Sequence, residues 1–192
     1  MLELILEERF PKAGKMEDGT RVIIRPLIQQ DETALNEFFG AMPQEDVIYL
    51  RDDVKNSQVI KHWCQNLDYE ATLPLIADLE GKIIADATLH QEKRGWKSHI
   101  GTIRVSIHPN YRGKGVGRLL ISELIQIALD IGLIKLDAEF IAEQTRSIAI
   151  FERLGFVRMA VLPQHVQDLK GESHDLVIMV YDLRATEHYE AD

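Results

Sequence analysis

The residues best suited to chemistry in this chain lie in one stretch, Val105-Ser106-Ile107-His108-Pro109-Asn110-Tyr111-Arg112-Gly113-Lys114-Gly115-Val116-Gly117-Arg118. A strand-like run ends at Pro109, three glycines alternate with other residues, and an amphipathic helical pattern begins at once. Glycines let the backbone come close to a bulky anion, and the first N–H groups of a helix have no partner inside it. Together with the positive end of the helix dipole they form a site for phosphate. Arg112, Lys114 and Arg118 add positive charge, which makes pyrophosphate the natural ligand. A P-loop is excluded because Gly115, not Ser or Thr, follows Gly113-Lys114. The dinucleotide fingerprint is excluded because Arg118 stands where its last glycine should be. The simpler alternative is a glycine-rich corner with solvated basic residues, and the full Pro-x-Tyr-Arg-Gly-x-Gly-x-Gly run argues against it.

A second set of residues has the types needed to take a proton from an ammonium group. Along 100–107, Thr102, Arg104 and Ser106 share one face of an extended chain, and Ile103, Val105 and Ile107 share the other. Just upstream, Asp86, Thr88 and His90 alternate with Ala85, Ala87 and Leu89. Paired as a hairpin, these segments set two polar rows side by side. His90 has the unperturbed pKa nearest neutrality and ranks ahead of Asp86 as a base. Asp86 would need burial to raise its pKa, and an ion pair with Arg104 would lower it instead. The competing reading is an exposed sheet face with an ordinary Asp86–Arg104 cross-strand pair.

Other reactive residue types are read more plainly. The loop 165–175 contains His, Asp and Glu, yet its spacing matches no metal motif, and no metal is expected. Cys64 lies on the apolar face Val59-Ile60-Trp63-Cys64-Leu67 and reads as a buried thiol. Trp96, in a polar loop, is harder to assign to a core and is a candidate cover for a substrate or partner surface.

The elements that must position these residues follow from periodicity and punctuation. Asp18-Gly19 marks a hairpin turn, and a strand follows over 21–27. Asp31 is placed to cap a helix with the stripe Ala34, Leu35, Phe38, Phe39 and Met42. Asn56-Ser57 begins a second helix. Residues 73–79, 83–89 and 100–107 read as three successive strands. A helix over 117–130 ends at Gly132, followed by a strand over 134–141 and a short helix over 146–154 stopped by Gly155. Strands over 156–162 and 175–183 complete the domain. This order implies a mixed α/β sheet with helices on both faces. Residues 1–19 read as an arm and the start of a hairpin, 20–184 as one domain, and 185–192 as a polar tail.

Composition limits the partners. A 192-residue chain with 45% hydrophobic and 28% charged residues has room for one sizeable core. Its net charge of −9 argues against nucleic acid and anionic membranes as partners. A single cysteine excludes an intrachain disulfide. The start, 1–10, carries Glu3, Glu7 and Glu8 and has no signal-peptide pattern, so the cytoplasm is the expected compartment.

From Thr20 to Leu183 the chain resembles the GNAT superfamily of N-acetyltransferases. Arg112-Gly113-Lys114-Gly115-Val116-Gly117 is similar to that family's pyrophosphate loop for coenzyme A. Gln144-Thr145-Arg146-Ser147-Ile148 through Phe151-Glu152-Arg153-Leu154-Gly155-Phe156 is similar to its second signature, a helix ending in Leu-Gly-Phe. The resemblance implies a mostly antiparallel sheet that splays open between the strands ending at Ile107 and beginning at Ile134. It implies acetyl-CoA as co-substrate. Pantetheine would pair with Val105 to Ile107, and the Ile107 N–H would stabilise the oxyanion. Arg112 to Gly117 and Arg118 would hold the pyrophosphate, Gln144 would touch pantetheine, and Phe151 would wall the thioester.

The chain also departs from the pattern. Gln144 stands where the family commonly has Asn, Phe151 where it often has a proton-donating Tyr, and Thr102 where relatives acting on lysine often have a Glu base. The expected activity is acetyl transfer to a primary amine by direct attack in a ternary complex, with His90 or Asp86 as base. Protein lysine, a protein N-terminus, a polyamine and a small amino acid all remain open as acceptors, as does monomer against homodimer. The departures motivate a rival, a CoA-binding sensor without catalysis.

Overall fold

The computed structural model describes residues 2–47, 50, 52–168 and 170–184. Eight strands form one sheet: β1 (Lys12–Lys15), β2 (Arg21–Pro26), β3 (Thr72–Leu79), β4 (Lys82–Gln91), β5 (Ile100–Ile107), β6 (Lys135–Ile141), β7 (Val157–Gln167) and β8 (Ser173–Asp182), in the order β1-β2-β3-β4-β5-β6-β8-β7. Every neighbouring pair is antiparallel except β5 and β6. That single parallel junction follows from α5 (Val116–Asp130), which crosses between the two strands and returns the chain to the same edge.

Two cores lie on opposite faces of the sheet. On one, Leu120, Ile121, Leu124, Ile127 and Ala128 of α5 pack against Leu75, Ala85, Ala87, Leu89 and Ile103. Each such large side chain contributes about 1.5–3 kcal/mol by leaving water. The helix α6 (Thr145–Arg153) covers the same face through Ile148 and Phe151. On the other face, α2 (Glu32–Gly40), α3 (Gln44–Val47) and α4 (Ser57–Gln65) close over Ile76 and Ile83. Helices on both faces are thus present as expected. Cys64 is buried in this second core, and burial pushes its thiol up to about 11, which leaves it unreactive at neutral pH.

Several details differ from expectation. The first residues, read as an arm, include a helix: α1 (Leu2–Arg9) sinks Leu2 and Leu6 into the main core. Arg9 then binds Asp130 at 2.7 Å, and Lys12 pairs with Glu123, both on α5. Asp31 does not cap α2. Its carboxylate instead receives both Nη atoms of Arg25 at 2.7 and 2.8 Å and the Ile28 N–H at 2.8 Å, so the charged donor takes the place of the helix N–H groups. Asn56 does cap α4, accepting from Gln58 N at 3.0 Å. β7 runs on to Gln167 rather than stopping at Leu162, because a shift in register between Leu162 and Val166 lets Val166 pair with His174. The polar tail expected over 185–192 lies outside the described residues. Among the described residues, no helix is long and apolar enough to cross a membrane.

Candidate active site

The sheet opens where the sequence places its glycine-rich turn. β5 and β6 pair only over Ile100–Thr102 and Lys135–Asp137. Beyond that rung β5 continues to Ile107 alongside β4, while β6 continues to Ile141 alongside β8. The two strands therefore part and leave a wedge between them. His108 donates its N–H to Ile84 O of β4 at 2.9 Å. By strand alternation the N–H groups of Ile107 and Val105 face the other way, into the wedge.

The mouth of the wedge is the turn from β5 to α5. A single 3-10 turn, Pro109–Tyr111, precedes Gly113 and Gly115. Gly115 has φ +83° and is the N-cap of α5, a conformation that a side-chain-bearing residue adopts only at a cost. The first helical donor to find an acceptor is Leu119 N, on Gly115 O at 3.2 Å. The N–H groups of Val116, Gly117 and Arg118 thus precede the first bond of the helix ladder and point out of its positive end. At Gly117 a Cβ would stand 2.7 Å from Ile107 Cδ1, so glycine here lets the helix start lie directly on β5.

The basic side chains behave differently from expectation. Arg112 donates from Nε to Ile107 O at 3.2 Å and pairs through Nη2 with Asp46 of α3. Lys114 lies 3.4 Å from Asp18 and 5.4 Å from the Tyr111 ring centroid. Two of the three cations expected on a phosphate are therefore held by carboxylates, and only Arg118 extends from the first turn of α5 into solvent. Glu17 N also donates to Lys114 O at 3.0 Å, so the β1–β2 turn braces the glycine-rich turn.

On the β6 side, Gln144 Oε1 accepts the Ile141 N–H at 3.0 Å, which commits its carbonyl to the turn before α6. Phe151, expected beside the thioester, is fully buried. It is 0% exposed, with ring centroids 4.9 Å from Phe140 and 4.8 Å from Phe156. Edge-on packing between these rings draws it into the core.

The polar rows of β4 and β5 lie on the face shared with α2 and α4, at the flank of the wedge. Asp86 stands opposite Ser106, Thr88 opposite Arg104, and His90 opposite Thr102. The register therefore separates Asp86 from Arg104 by one rung on the same face, and no ion pair joins them. Burial pushes the Asp86 carboxyl up to about 7, and the Thr88 hydroxyl, donating at 3.3 Å, pulls it the other way. His90 Nδ1 lies 3.4 Å from Thr72 Oγ1, further from the glycine-rich turn. Asp86 therefore lies nearer the glycine-rich turn along β4 than His90 does, and burial raises the proton affinity of its carboxyl.

One residue escaped sequence reasoning. Asp137 forms the last rung with Thr102, at the fork of the wedge and on the same face as Thr102 and Arg104. Burial raises its pKa, Lys97 opposes, and Glu139 adds to the rise. Alternation of Lys135, Asp137 and Glu139 with Leu136, Ala138 and Phe140 carries the signal.

A sheet split beside a helix N-terminus, with backbone donors on both, offers hydrogen bonds to an extended, anion-bearing ligand. The chain matches the acetyltransferase (GNAT) family over residues 34–156, and it belongs to that family. It is 31% identical over 115 residues to the L-amino acid N-acyltransferase MnaT of Escherichia coli K12, covering 59% of this chain and 66% of that one. It is 26% identical over 182 residues to an amino-acid acetyltransferase of Yersinia pseudotuberculosis, covering 93% of this chain and 38% of the relative. The chain thus spans less than two thirds of the length of these relatives. The structure of yncA from Salmonella typhimurium with its cofactor acetyl-CoA superposes with a TM-score of 0.72 at 22% identity, covering 85% of this chain and 95% of that one.

Proposed function

We propose that the protein transfers the acetyl group of acetyl-CoA to the amine of a free amino acid or a similar small amine. The observation that carries this reading is the parting of β5 from β6 after Thr102–Asp137, with the Val105 and Ile107 N–H groups facing the wedge and α5 beginning at its mouth. The pyrophosphate would sit on the N–H groups of Gly115 to Arg118, with Arg112 and Lys114 exchanging carboxylate partners for phosphate. Exposed ion pairs of that kind cost little to break, about 0–1 kcal/mol. Pantetheine would run along β5 and add a strand's worth of hydrogen bonds to Val105 and Ile107.

In the reaction, the amine nitrogen attacks the thioester carbonyl carbon, the C=O π electrons move onto oxygen, and the Ile107 N–H donates to that oxyanion. The intermediate then expels the sulfur as thiolate. A thiol of pKa about 8.5 is a tolerable leaving group without a protein acid, which agrees with a Phe at 151. Asp86 takes the amine proton, directly or through one water, because an alkyl ammonium of pKa about 10.4 is not nucleophilic at neutral pH. Arg104, one rung away on the same face, would exchange its present partner for an acceptor carboxylate. That placement and the names of the two relatives both support amino acids over protein lysines. A panel of free amino acids and amines with acetyl-CoA, followed by release of free thiol, tests the reading. Turnover with amino acids and none with their carboxyl-amidated forms is expected.

The second reading, a CoA-binding sensor, is favoured by the absence of a base at Thr102 and of a donor at Phe151. It predicts saturable CoA binding and no thiol release with any amine.

A further inference from the structure

The β7–β8 hairpin closes on a loop whose side chains turn back onto the start of β8. Asp168 Oδ1 accepts the backbone N–H groups of Lys170 at 2.8 Å and Glu172 at 3.0 Å, which fixes the carboxylate. Its other oxygen, Oδ2, lies 3.5 Å from His174 Nε2. A carboxylate oxygen of Glu172 completes the group, and one such atom from each of Asp168, Glu172 and His174 lies within 4.8 Å of the others. The opposite ring nitrogen, His174 Nδ1, is 3.1 Å from Glu143 Oε1. The Asp168 side chain keeps 4% of its surface exposed and that of His174 13%, whereas Glu172 and Glu143 are exposed, so the cluster has a buried floor and one side open to solvent.

Two features distinguish this arrangement from a chance meeting of surface charges. First, 3.5 Å is long for a charge-assisted hydrogen bond. It is close to the edge of a tetrahedron with ~2.1 Å bonds, about 3.4 Å, the spacing of nitrogen and oxygen ligands around zinc. Second, the imidazole is used at both ends. One nitrogen faces the candidate ligands, and the other rests on a carboxylate that would fix its tautomer and orientation, as second-shell carboxylates do for metal-binding histidines. Imidazole with two carboxylates suits a borderline divalent ion, and the absence of a thiolate from the set disfavours copper(I).

We propose that Asp168, Glu172 and His174 bind a divalent transition-metal ion of the zinc–cobalt class, with Glu143 orienting the imidazole. The ion is a brace, not a participant in acetyl transfer. It ties the β7–β8 loop to β8 and, through Glu143, to the turn that carries Gln144 at the edge of the wedge. The inference does not depend on the acetyltransferase reading.

The test uses the full chain stripped of metal with a chelator. Zn²⁺ titrated calorimetrically should bind at one ion per chain, and Co²⁺ should give the visible bands of a four-coordinate N/O site. Asp168→Asn and His174→Gln should each weaken binding at least ~10-fold, and Glu143→Gln by about 10–100-fold. His165→Gln, an exposed histidine near the end of β7, should leave affinity unchanged. The His174 ring resonances of the unmodified protein should shift on adding one equivalent of Zn²⁺, a readout that needs no variant. Absence of saturable binding overturns the proposal, as does one-site binding that survives His174→Gln. Unmoved His174 resonances do so too, and would leave an imidazole held between Glu143 and Asp168 with no ion.

Discussion

The two flanks of the wedge are built from different materials. The cofactor flank is mostly backbone: N–H groups of β5 and of the first turn of α5, presented by glycines at 113, 115 and 117. The flank we propose for the acceptor is mostly side chains, Asp86, Thr88, His90, Arg104 and Asp137, whose neighbours are set by register across three strands. A backbone site tolerates almost any side chain and no change of backbone conformation. A side-chain site behaves the other way. The contrast orders the expected effects of substitution.

The largest effect belongs to the cofactor flank. Gly115→Val forces a β-branched residue into φ +83° at the helix start and displaces the N–H groups that would meet the pyrophosphate. Losing two hydrogen bonds to a charged group, about 1.5–3 kcal/mol each, should weaken CoA binding by roughly 100-fold or more. The Cβ meets only the flexible Glu17 side chain, so the chain should still fold. Calorimetry with CoA reads the affinity, and unchanged affinity would move the pyrophosphate elsewhere.

Next comes the base. Asp86→Asn should lower kcat/KM at pH 8 by about 10²–10⁴-fold, the usual worth of general-base catalysis, while leaving CoA affinity within twofold. The same substitution should raise stability. The Asp86 pKa is raised on folding, so its contribution to stability is fully present below the unfolded value and is lost as pH rises through about 7. The wild type therefore carries an unfavourable buried charge at pH 8 that the amide lacks. Melting curves should show Asp86→Asn more stable than wild type at pH 8 by about 2–4 °C for each kcal/mol of that cost, with the gap narrowing at pH 5 and closing only below the unfolded value of 3.8. An equal gap at both values would place the charge in solvent.

Smaller effects are expected at the residues that sequence alone favoured. Phe151→Tyr introduces a hydroxyl into the Phe140–Phe151–Phe156 cluster, where an unpaired buried polar group costs about 1–3 kcal/mol. It should lower the melting temperature and not raise turnover. His90→Gln should change kcat/KM only a few-fold, and a loss as deep as that of Asp86→Asn would restore His90 as the base.

The same contrast explains what was legible in the sequence. The strand–glycine–helix corner is written in consecutive residues, and the structure has the strand, the turn and α5 where that run puts them. The identity of β4 and β5 and the alternation of Asp86, Thr88 and His90 were also legible, because the period of a strand is local. Register is not local. That Asp86 meets Ser106 and misses Arg104 by a rung depends on the β4–β5 pairing. Asp137 went unread because its partner, Thr102, is 35 residues away across a parallel junction. Phe151 falls at the right place in its helix, yet its depth is decided by Phe140 and Phe156 on neighbouring strands. Asp31 has the residue type of a cap, and only the fold brings Arg25 to it.

The central claim, acetyl transfer with Asp86 as base, is tested most directly by the pH dependence of kcat/KM for acetyl-CoA and an amino-acid acceptor in wild type, Asp86→Asn and His90→Gln. The carboxylate must be ionised to take a proton, so the wild-type rate should rise tenfold per pH unit below about 7 and level off above it. His90→Gln should keep this limb, and Asp86→Asn should lose both the limb and most of the rate. A wild-type profile with no limb near 7, or a limb that survives in Asp86→Asn and vanishes in His90→Gln, would contradict the account.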